Sequence, residues 1–294
     1  MTESTLSPLD LEVLVRKIGK LPASSEVILE LLRVIDADEI SATALAEIIS
    51  RDQAIVVRLL RIANSSFYAL PGQVESITDA VAILGWRQVR TLAAGVAIFR
   101  SFSDVKTPGF DFNQFWRHSV AVAVAARELA LRMKLAEGGA FVAGLIHDIG
   151  RIVVAHSFPH YSQAVVRYQE IHACPFTEAE HAVLGIDHAR IGGTLAERWH
   201  FPPAICNAIA THHATNDAPA PQLDPLALAV WMANALAHCR SDHEQPETQR
   251  QCVSRLPWER INLVEIDGER VLAAIERELE FLCGMLIDNA GGEK

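Results

Sequence analysis

The adjacent pair His147-Asp148, in the apolar run from Gly144 to Arg151, is the part of the sequence best suited to chemistry. A carboxylate in an apolar helix needs a charge partner, because burying an unpaired charge is costly. Imidazole nitrogen and carboxylate oxygen are both ligands for divalent cations. The pair therefore predicts a metal site, and the alternative is a simple hydrogen-bonded His-Asp pair.

Further histidines extend this candidate ligand set, namely His118, His188, His212 and His213. A helical bundle can point such side chains inward from facing helices. Neighbouring positions on one helix diverge by about 100°, so His147 and Asp148 share an ion only if it lies between their directions. Taken singly, each of the other histidines also fits a core or solvated position. Glu178 and Glu180 are further candidate carboxylates.

The composition limits the function classes. The 294 residues, 50% of them apolar, are enough for a sizeable buried core. A formal net charge of −10 argues against general binding of nucleic acid or of an anionic membrane, which rests on clustered lysine and arginine. The apolar runs are shorter than the roughly 18 residues of a membrane span. Because the N-terminus lacks the features of a signal peptide, we expect a cytoplasmic protein.

The 5 cysteines show no short metal-binding or redox spacing; they are Cys174, Cys206, Cys239, Cys252 and Cys283. An odd number of cysteines without such a motif is typical of an intracellular chain. We therefore expect reduced thiols that act as small packing residues.

Hydrophobic periodicity predicts the all-α class. Apolar residues recur three or four positions apart, as in Leu45, Ile48 and Ile49, and convincing strand alternation is absent from the sequence. The turn-rich segment Ser103–Gly109 separates two apolar blocks. We predict three parts: an N-terminal helical subdomain, a helical subdomain with the metal centre, and a connector with a C-terminal helix that packs on the body, over residues 1–105, 106–239 and 240–294.

Several motifs in a consistent order resemble the HDOD family of the HD phosphohydrolase superfamily. His118 followed by His147-Asp148 resembles the H…HD part of the superfamily signature. The segments that resemble the HDOD family itself are Leu59–Phe67, Ala80–Gly85, Gly144–Gly150, Ile186–Gly192, Trp199–Pro202 and His212-His213. The resemblance implies a multi-helix HD-like bundle with an associated N-terminal helical subdomain. It also implies a metal centre that could hold Fe, Mn, Zn or Mg.

Two departures from catalytic HD proteins shape the functional prediction. Asn234 stands where their distal aspartate would fall, and a neutral amide is a weaker ligand than a carboxylate. Arg151 stands where the related HD-GYP hydrolases of cyclic di-GMP carry lysine, and the sequence contains no Gly-Tyr-Pro segment. Arg151 is a candidate phosphate-binding residue, with a solvated or salt-bridged arginine as the alternative.

The leading prediction is a bacterial signal-transduction module of the HDOD type, non-catalytic, that binds a metal or a nucleotide in its HD-like pocket. The alternative is a metal-dependent phosphohydrolase or phosphodiesterase acting on a nucleotide or cyclic dinucleotide. A third hypothesis is an interaction scaffold without a ligand. The resemblance implies signalling proteins as partners, and the C-terminal helix offers a surface for a homodimer. The upstream signal and the downstream target are not encoded in any recognisable motif.

Overall fold

The computed structural model describes residues 27, 30, 41–64, 74–102, 107–213, 224–241 and 245–286. Every secondary-structure element assigned in these residues is helical, which confirms the predicted all-α class. The predicted subdomain boundary at residue 105 lies outside the described residues, as do the last three residues of the Leu59–Phe67 motif. The division into three parts therefore stays a prediction.

The first block of the chain contributes the helices α1 (Ala42–Ser50), α2 (Gln53–Ala63), α3 (Ile77–Leu84) and α4 (Trp86–Ser101). Ser41 caps α1 by accepting a hydrogen bond from the Ala44 N–H, and Ser76 caps α3 in the same way. Such caps satisfy backbone donors that have no partner within the helix. Buried residues of this block, including Leu45 and Leu59, join the same apolar core as the rest of the described chain.

The remaining helices are α5 (Phe112–Arg132), α6 (Glu137–Ile146), α7 (Ile149–Ser157), α8 (Pro159–His172), α9 (Phe176–Leu184), α10 (His188–Arg198), α11 (Pro203–Thr211), α12 (Pro225–Ser241), α13 (Pro246–Ser254), a 3₁₀ helix (Trp258–Ile261) and α14 (Glu265–Leu286). Helix α5 is central and packs against α6, α12 and α14. A Cβ at Gly144 would lie 2.8 Å from the Ala123 Cα, so the glycine lets α6 approach α5 closely. This approach brings the end of α6 next to the central helix.

One stretch, Glu137–Ser157, is long and apolar enough to cross a membrane by length and composition, with a mean hydropathy of 1.4. It comprises α6 and α7 rather than one continuous helix. Inside the protein, 89% of its apolar window is buried. A core element of a globular protein has the same composition, and packing in the core accounts for this stretch.

The C-terminal helix α14 lies against α5. Arg127 in α5 donates a hydrogen bond of 3.1 Å to Glu278 in α14, and both side chains are buried. Buried apolar residues of α14, including Ile275 and Leu279, belong to the main core. The connector predicted to precede the C-terminal helix contains helix α13.

The prediction that all cysteines are reduced thiols is wrong for one pair. Cys239 in α12 and Cys252 in α13 form a disulfide, with their Cα atoms 5.5 Å apart. Cys174, Cys206 and Cys283 are not part of a disulfide. The paired cysteines are separated by 13 positions, so no short motif announces them. They meet because α13 folds back along α12.

Candidate metal centre

His147 and Asp148 lie in a break between two helices. His147 is the C-cap of α6, and Asp148 precedes α7 with φ −92° and ψ 13°. The assumption that both residues belong to one helix is therefore wrong. Because the chain bends here, His147 Nε2 comes within 3.5 Å of Asp148 Oδ1.

Two of the other predicted ligands also lie at helix ends, whereas His118 lies within α5. His188 is the first residue of α10, and His212 is the C-cap of α11. Helix α10 reaches the pair because Gly150 has no side chain: a Cβ there would lie 2.1 Å from the His188 carbonyl oxygen. Three helix ends thus surround one small volume.

Three imidazoles converge on a single carboxylate oxygen. Asp148 Oδ1 lies 3.0 Å from the Nε2 atom of His188, 3.3 Å from that of His212 and 3.5 Å from that of His147. His213 adds a fourth ring, with its Nε2 3.0 Å from His188 Nε2. The Asp148, His188, His212 and His147 residues are at most 3% exposed, whereas His213 is partly exposed. The structure therefore brings these predicted residues into one buried cluster.

Hydrogen bonds at Nδ1 fix the direction of each ring. His147 Nδ1 donates to the Gly144 carbonyl at 2.8 Å, and His212 Nδ1 donates to the Ile209 carbonyl at 2.7 Å. His188 Nδ1 donates to Glu180 Oε2 at 2.5 Å. Such bonds are typical of the outer shell of a metal site, because they place the hydrogen on Nδ1 and leave the Nε2 lone pair for an ion.

Glu180 is a residue whose role the sequence does not specify. It was one of two candidate ligand carboxylates, but its Oε2 accepts from both the backbone N–H and Nδ1 of His188, at 3.0 and 2.5 Å. The carboxylate is 2% exposed. Glu180 therefore lies behind His188 and orients it, and the sequence signal is only its position shortly before that histidine.

The charges of the cluster are strongly coupled. Burial would raise the pKa of Asp148, but the neighbouring imidazoles and the Arg151 guanidinium outweigh it and hold that pKa well below its usual range. Burial lowers the pKa of His188, yet the Glu180 and Asp148 carboxylates raise it to about 10. Burial keeps the pKa of His147 well below its usual range. Without a bound cation, a proton on His188 would therefore supply the positive charge that Asp148 needs.

The donor set fits a divalent cation. His147 Nε2 is buried and makes no hydrogen bond, and the buried Asp148 Oδ1 faces imidazole nitrogens, the nearest being His188 Nε2 at 3.0 Å. In each of two residue groups, the ligand atoms lie within 4.8 Å of one another: Asp148, His188, His212 and His213 in one group, and His118, His147 and Asp148 in the other. Imidazole nitrogens together with a carboxylate oxygen suit Zn, Fe or Mn better than Mg, which prefers oxygen ligands throughout.

His118 occupies the far side of the cluster, in contact with the predicted degenerate position. Its Nε2 lies 3.1 Å from Asn234 Oδ1. Because an amide oxygen only accepts, His118 Nε2 carries the hydrogen in this contact. Burial lowers the pKa of His118 to about 4. The ring of His238 lies 4.8 Å from that of His118, one helical turn after Asn234 in α12, although sequence reasoning gave His238 no role.

Arg151 is bound to the cluster itself. Its Nη1 donates to Asp148 Oδ2 at 3.0 Å, and its guanidinium carbon lies 4.4 Å from the centre of the Phe176 ring. The structure thus shows the salt-bridged arrangement that was the alternative to phosphate binding. Phe176 is a contact that the sequence gave no reason to expect.

The chain belongs to the HDOD family, because the family model described as the HDOD domain matches residues 21–215, more than half of the chain. A protein of Treponema pallidum, named as uncharacterised, is 24% identical over 90% of this chain and 50% of its own length. The chain therefore spans about half the length of that relative. The resemblance inferred from the motifs is confirmed.

Solved structures share the fold. A protein of Shewanella amazonensis, provisionally named a phosphohydrolase, is 26% identical with a TM-score of 0.71, covering 94% of this chain and 97% of its own. A protein of Marinobacter aquaeolei, provisionally named a signal transduction protein, is 24% identical with a TM-score of 0.67, covering 97% of this chain and 63% of its own. Both likenesses extend beyond the family match at 21–215.

Proposed function

We propose that the chain is a regulatory HDOD module that binds a divalent cation in its HD-like pocket and does not hydrolyse a substrate. The convergence of three imidazole Nε2 atoms on Asp148 Oδ1, within 3.0 to 3.5 Å, carries the proposal. The residues that would hold the ion are Asp148, His188, His212 and His213, with His147 beside them. A bound cation supplies the positive charge that this buried carboxylate requires.

The burial of three of the four ligands, all but the partly exposed His213, supports a regulatory role over a hydrolytic one. Asp148 is 3% exposed and His188 is 2% exposed. A catalytic metal keeps an open position for water and substrate, whereas a structural metal is closed off by its ligands. In addition, the Arg151 guanidinium donates from Nη1 to Asp148 and stacks on the Phe176 ring. These contacts within the protein compete with binding of a substrate phosphate.

Asn234 supports the same conclusion. Its neutral side chain stands in place of the distal carboxylate and accepts from His118 at 3.1 Å. Fewer anionic ligands lower the affinity for a second ion and the power of a site to acidify bound water. A single charged ligand, Asp148, is consistent with binding rather than with turnover.

The position of the ligands suggests how binding would be transmitted. Asp148 precedes α7, His188 begins α10 and His212 ends α11, so one ion would join three helices. Binding free energy of a metal becomes stability of the conformation that presents its ligands. The fraction of chains that hold the ion would then set how much of this helix packing is available to a signalling partner.

A metal-dependent phosphohydrolase acting on a nucleotide is the second candidate. One observation favours it: the two groups of candidate ligands share Asp148. A shared carboxylate is what a site with two metal ions acting on one phosphate would need. The name of the Shewanella amazonensis neighbour points the same way. In that case His118 would have to exchange its contact with Asn234 for a metal.

The proposal is tested by measuring metal content and turnover together. The full chain, stripped with a chelator and reloaded with Zn²⁺, Mn²⁺ or Fe²⁺, is analysed for bound metal and assayed with phosphomonoester, nucleotide and cyclic dinucleotide substrates. Asp148→Asn removes the charge without changing the shape, and His160→Ala removes an exposed histidine outside the cluster as the matched control.

The expected result is stoichiometric metal without turnover, lost in Asp148→Asn and kept in His160→Ala. Turnover that disappears in Asp148→Asn would overturn the regulatory proposal in favour of the hydrolase. Absence of metal binding in the wild-type chain, with the fold retained, would overturn the metal centre and favour the scaffold.

A further inference from the structure

Most residues of helix α13 are exposed. Of its 9 residues, Pro246–Ser254, Val253 is the buried one. Gln249 Nε2 donates to the Arg240 carbonyl at the long distance of 3.4 Å, and the ion pair between Arg250 and Glu269 is exposed at 3.9 Å. Exposed ion pairs contribute little. The disulfide from Cys252, in the last turn of this helix, to Cys239 is its covalent attachment to α12.

The two cysteines of this disulfide differ in exposure. Cys239 is 2% exposed and lies in the core-facing side of α12, whereas Cys252 is partly exposed. A thiolate from solution therefore has the more open approach to Cys252. Thiol–disulfide exchange requires such access, because the attacking thiolate must approach the sulfur that it will bond.

The far end of α13 has a separate anchor. Trp258 Nε1 donates to the Val253 carbonyl at 2.9 Å, and a Cβ at Gly268 would lie 2.3 Å from the Trp258 ring. The Trp258 indole is thus packed between α13 and α14. Loss of the disulfide would leave Val253 packed against Trp258 and remove the covalent link between the exposed preceding turns of α13 and helix α12.

We propose that Cys239 and Cys252 are a reversible redox site that controls whether α13 is docked on α12. The reductant is a dithiol. Its first thiolate attacks Cys252, forming a mixed disulfide while Cys239 leaves as a thiolate that takes up a proton; its second thiol then displaces Cys252. The dithiol ends as a disulfide, and the chain gains two electrons and two protons. A small disulfide reverses the reaction.

Cys239 lies in the same helix as residues that contact the metal-site cluster. Cys239 follows His238, whose ring lies 4.8 Å from that of His118, and the same helix carries Asn234, which accepts from His118. Docking of α13 therefore stabilises the part of α12 that lines the far side of the cluster. The redox reaction itself requires no metal.

The test is hydrogen–deuterium exchange on the full chain, read by mass spectrometry after oxidation with glutathione disulfide and after reduction with dithiothreitol. Peptide mapping under non-reducing conditions reports which cysteines are linked. Cys252→Ser abolishes the pair, and Cys174→Ser removes a free, partly exposed thiol as the matched control.

We expect a Cys239–Cys252 link that forms and reopens reversibly. The hydrogen-bonded amides of 249–252 should exchange at least about tenfold faster in the reduced chain and in Cys252→Ser, because the covalent link to α12 no longer restrains local opening. Cys174→Ser should match the wild type. Failure of the two cysteines to pair on oxidation, or equal exchange in both states, would overturn the proposal. The reduced wild-type chain provides this comparison even if Cys252→Ser does not fold.

Discussion

His118 Nε2 donates a hydrogen bond to the side-chain oxygen of Asn234 across 3.1 Å. Asn234, at the position of the missing carboxylate, thus still contacts His118, the first histidine of the H…HD pattern. This hydrogen bond occupies the His118 nitrogen that would otherwise face an ion. Within the two ligand groups of the described residues, Asp148 is the one carboxylate. The substitution therefore changes the charge of the pocket more than its shape.

Asn234→Asp should restore a second anionic ligand. A carboxylate beside His118 would accept from the imidazole or release Nε2 to an ion, and each added charge raises the affinity for a divalent cation. We expect bound metal to rise from about one ion per chain towards two. Metal analysis of the dialysed protein checks this, and a hydrolase assay on the same sample reports any gain of turnover.

The control for this substitution is Asn262→Asp, which adds the same charge at an exposed position after the 3₁₀ helix. It should leave the metal content unchanged. Equal metal content in Asn234→Asp and the wild type would show that the far side of the cluster does not bind an ion even with a carboxylate in place.

Glu180→Gln should weaken metal binding without removing a ligand. Glu180 accepts both from the backbone N–H and from Nδ1 of His188, so the amide keeps an acceptor there but loses the charge that polarises the ring. Loss of such an outer partner typically lowers metal affinity about 10- to 100-fold. Competition with a chromophoric chelator measures the affinity.

Glu178→Gln is the matched control, because Glu178 lies in the same helix and was the other candidate carboxylate. Its affinity should equal that of the wild type. If Glu178→Gln and Glu180→Gln weakened binding equally, the specific contact to His188 would not be the cause.

Sequence reasoning predicted much of the fold and the membership of the cluster, since both rest on local signals. The 3.6-residue periodicity of segments such as the one around Leu45 is a property of single helices. Likewise, histidines and aspartate in an apolar context carry a recognisable cost of burial. These local signals identify His147, Asp148 and His188 as candidate metal ligands without any knowledge of the three-dimensional arrangement.

The remaining features depend on how helices meet. The break between His147 and Asp148 has no proline, and its glycines read equally well as helix packing positions. Glu180 faces the back of His188 because of the turn between α9 and α10, where Gly185 has a φ of 78°. The Cys239–Cys252 pair arises only when α13 folds back on α12. None of these relationships has a periodic or short-range signature.

Metal binding should release a proton from His188 at neutral pH. Although burial lowers the pKa of His188, the Glu180 and Asp148 carboxylates raise it to about 10, so a chain without the ion carries this proton at pH 7. Because the pKa of His188 is raised, its proton competes with the ion at every pH below about 10. We expect about one proton released per ion and an affinity that rises about tenfold per pH unit from about pH 7 to 9. Titration calorimetry in two buffers with different ionisation enthalpies measures the number; a value of zero would contradict the prediction.

Glu278→Ala should destabilise the attachment of α14 to α5. The Glu278 carboxylate accepts from Arg127 at 3.1 Å, and the two side chains are 5% and 3% exposed. Removing one member of a buried pair leaves the other charge poorly compensated and typically costs about 3 kcal/mol. Urea unfolding measures this loss.

Glu280→Ala is the control: Glu280 pairs with Arg117 on the surface, so the free energy of unfolding should hardly change. Arg127 also donates to Glu128 at 2.5 Å, so equal stability of the two variants would mean that Glu128 alone compensates Arg127.

Gly150→Ala should disrupt both the fold and the metal centre. The added Cβ would lie 2.1 Å from the His188 carbonyl oxygen, a backbone atom that cannot rotate away, so α7 and α10 must separate. Overpacking of this kind costs about 3 kcal/mol or more, and the separation would also move His188 from Asp148.

Gly139→Ala provides the comparison, because a Cβ there meets no atom within 4 Å and alanine is the better helix former by about 1 kcal/mol. We expect Gly139→Ala to bind metal like the wild type and Gly150→Ala to lose it; retention of stability and metal in Gly150→Ala would show that α10 does not need this close approach.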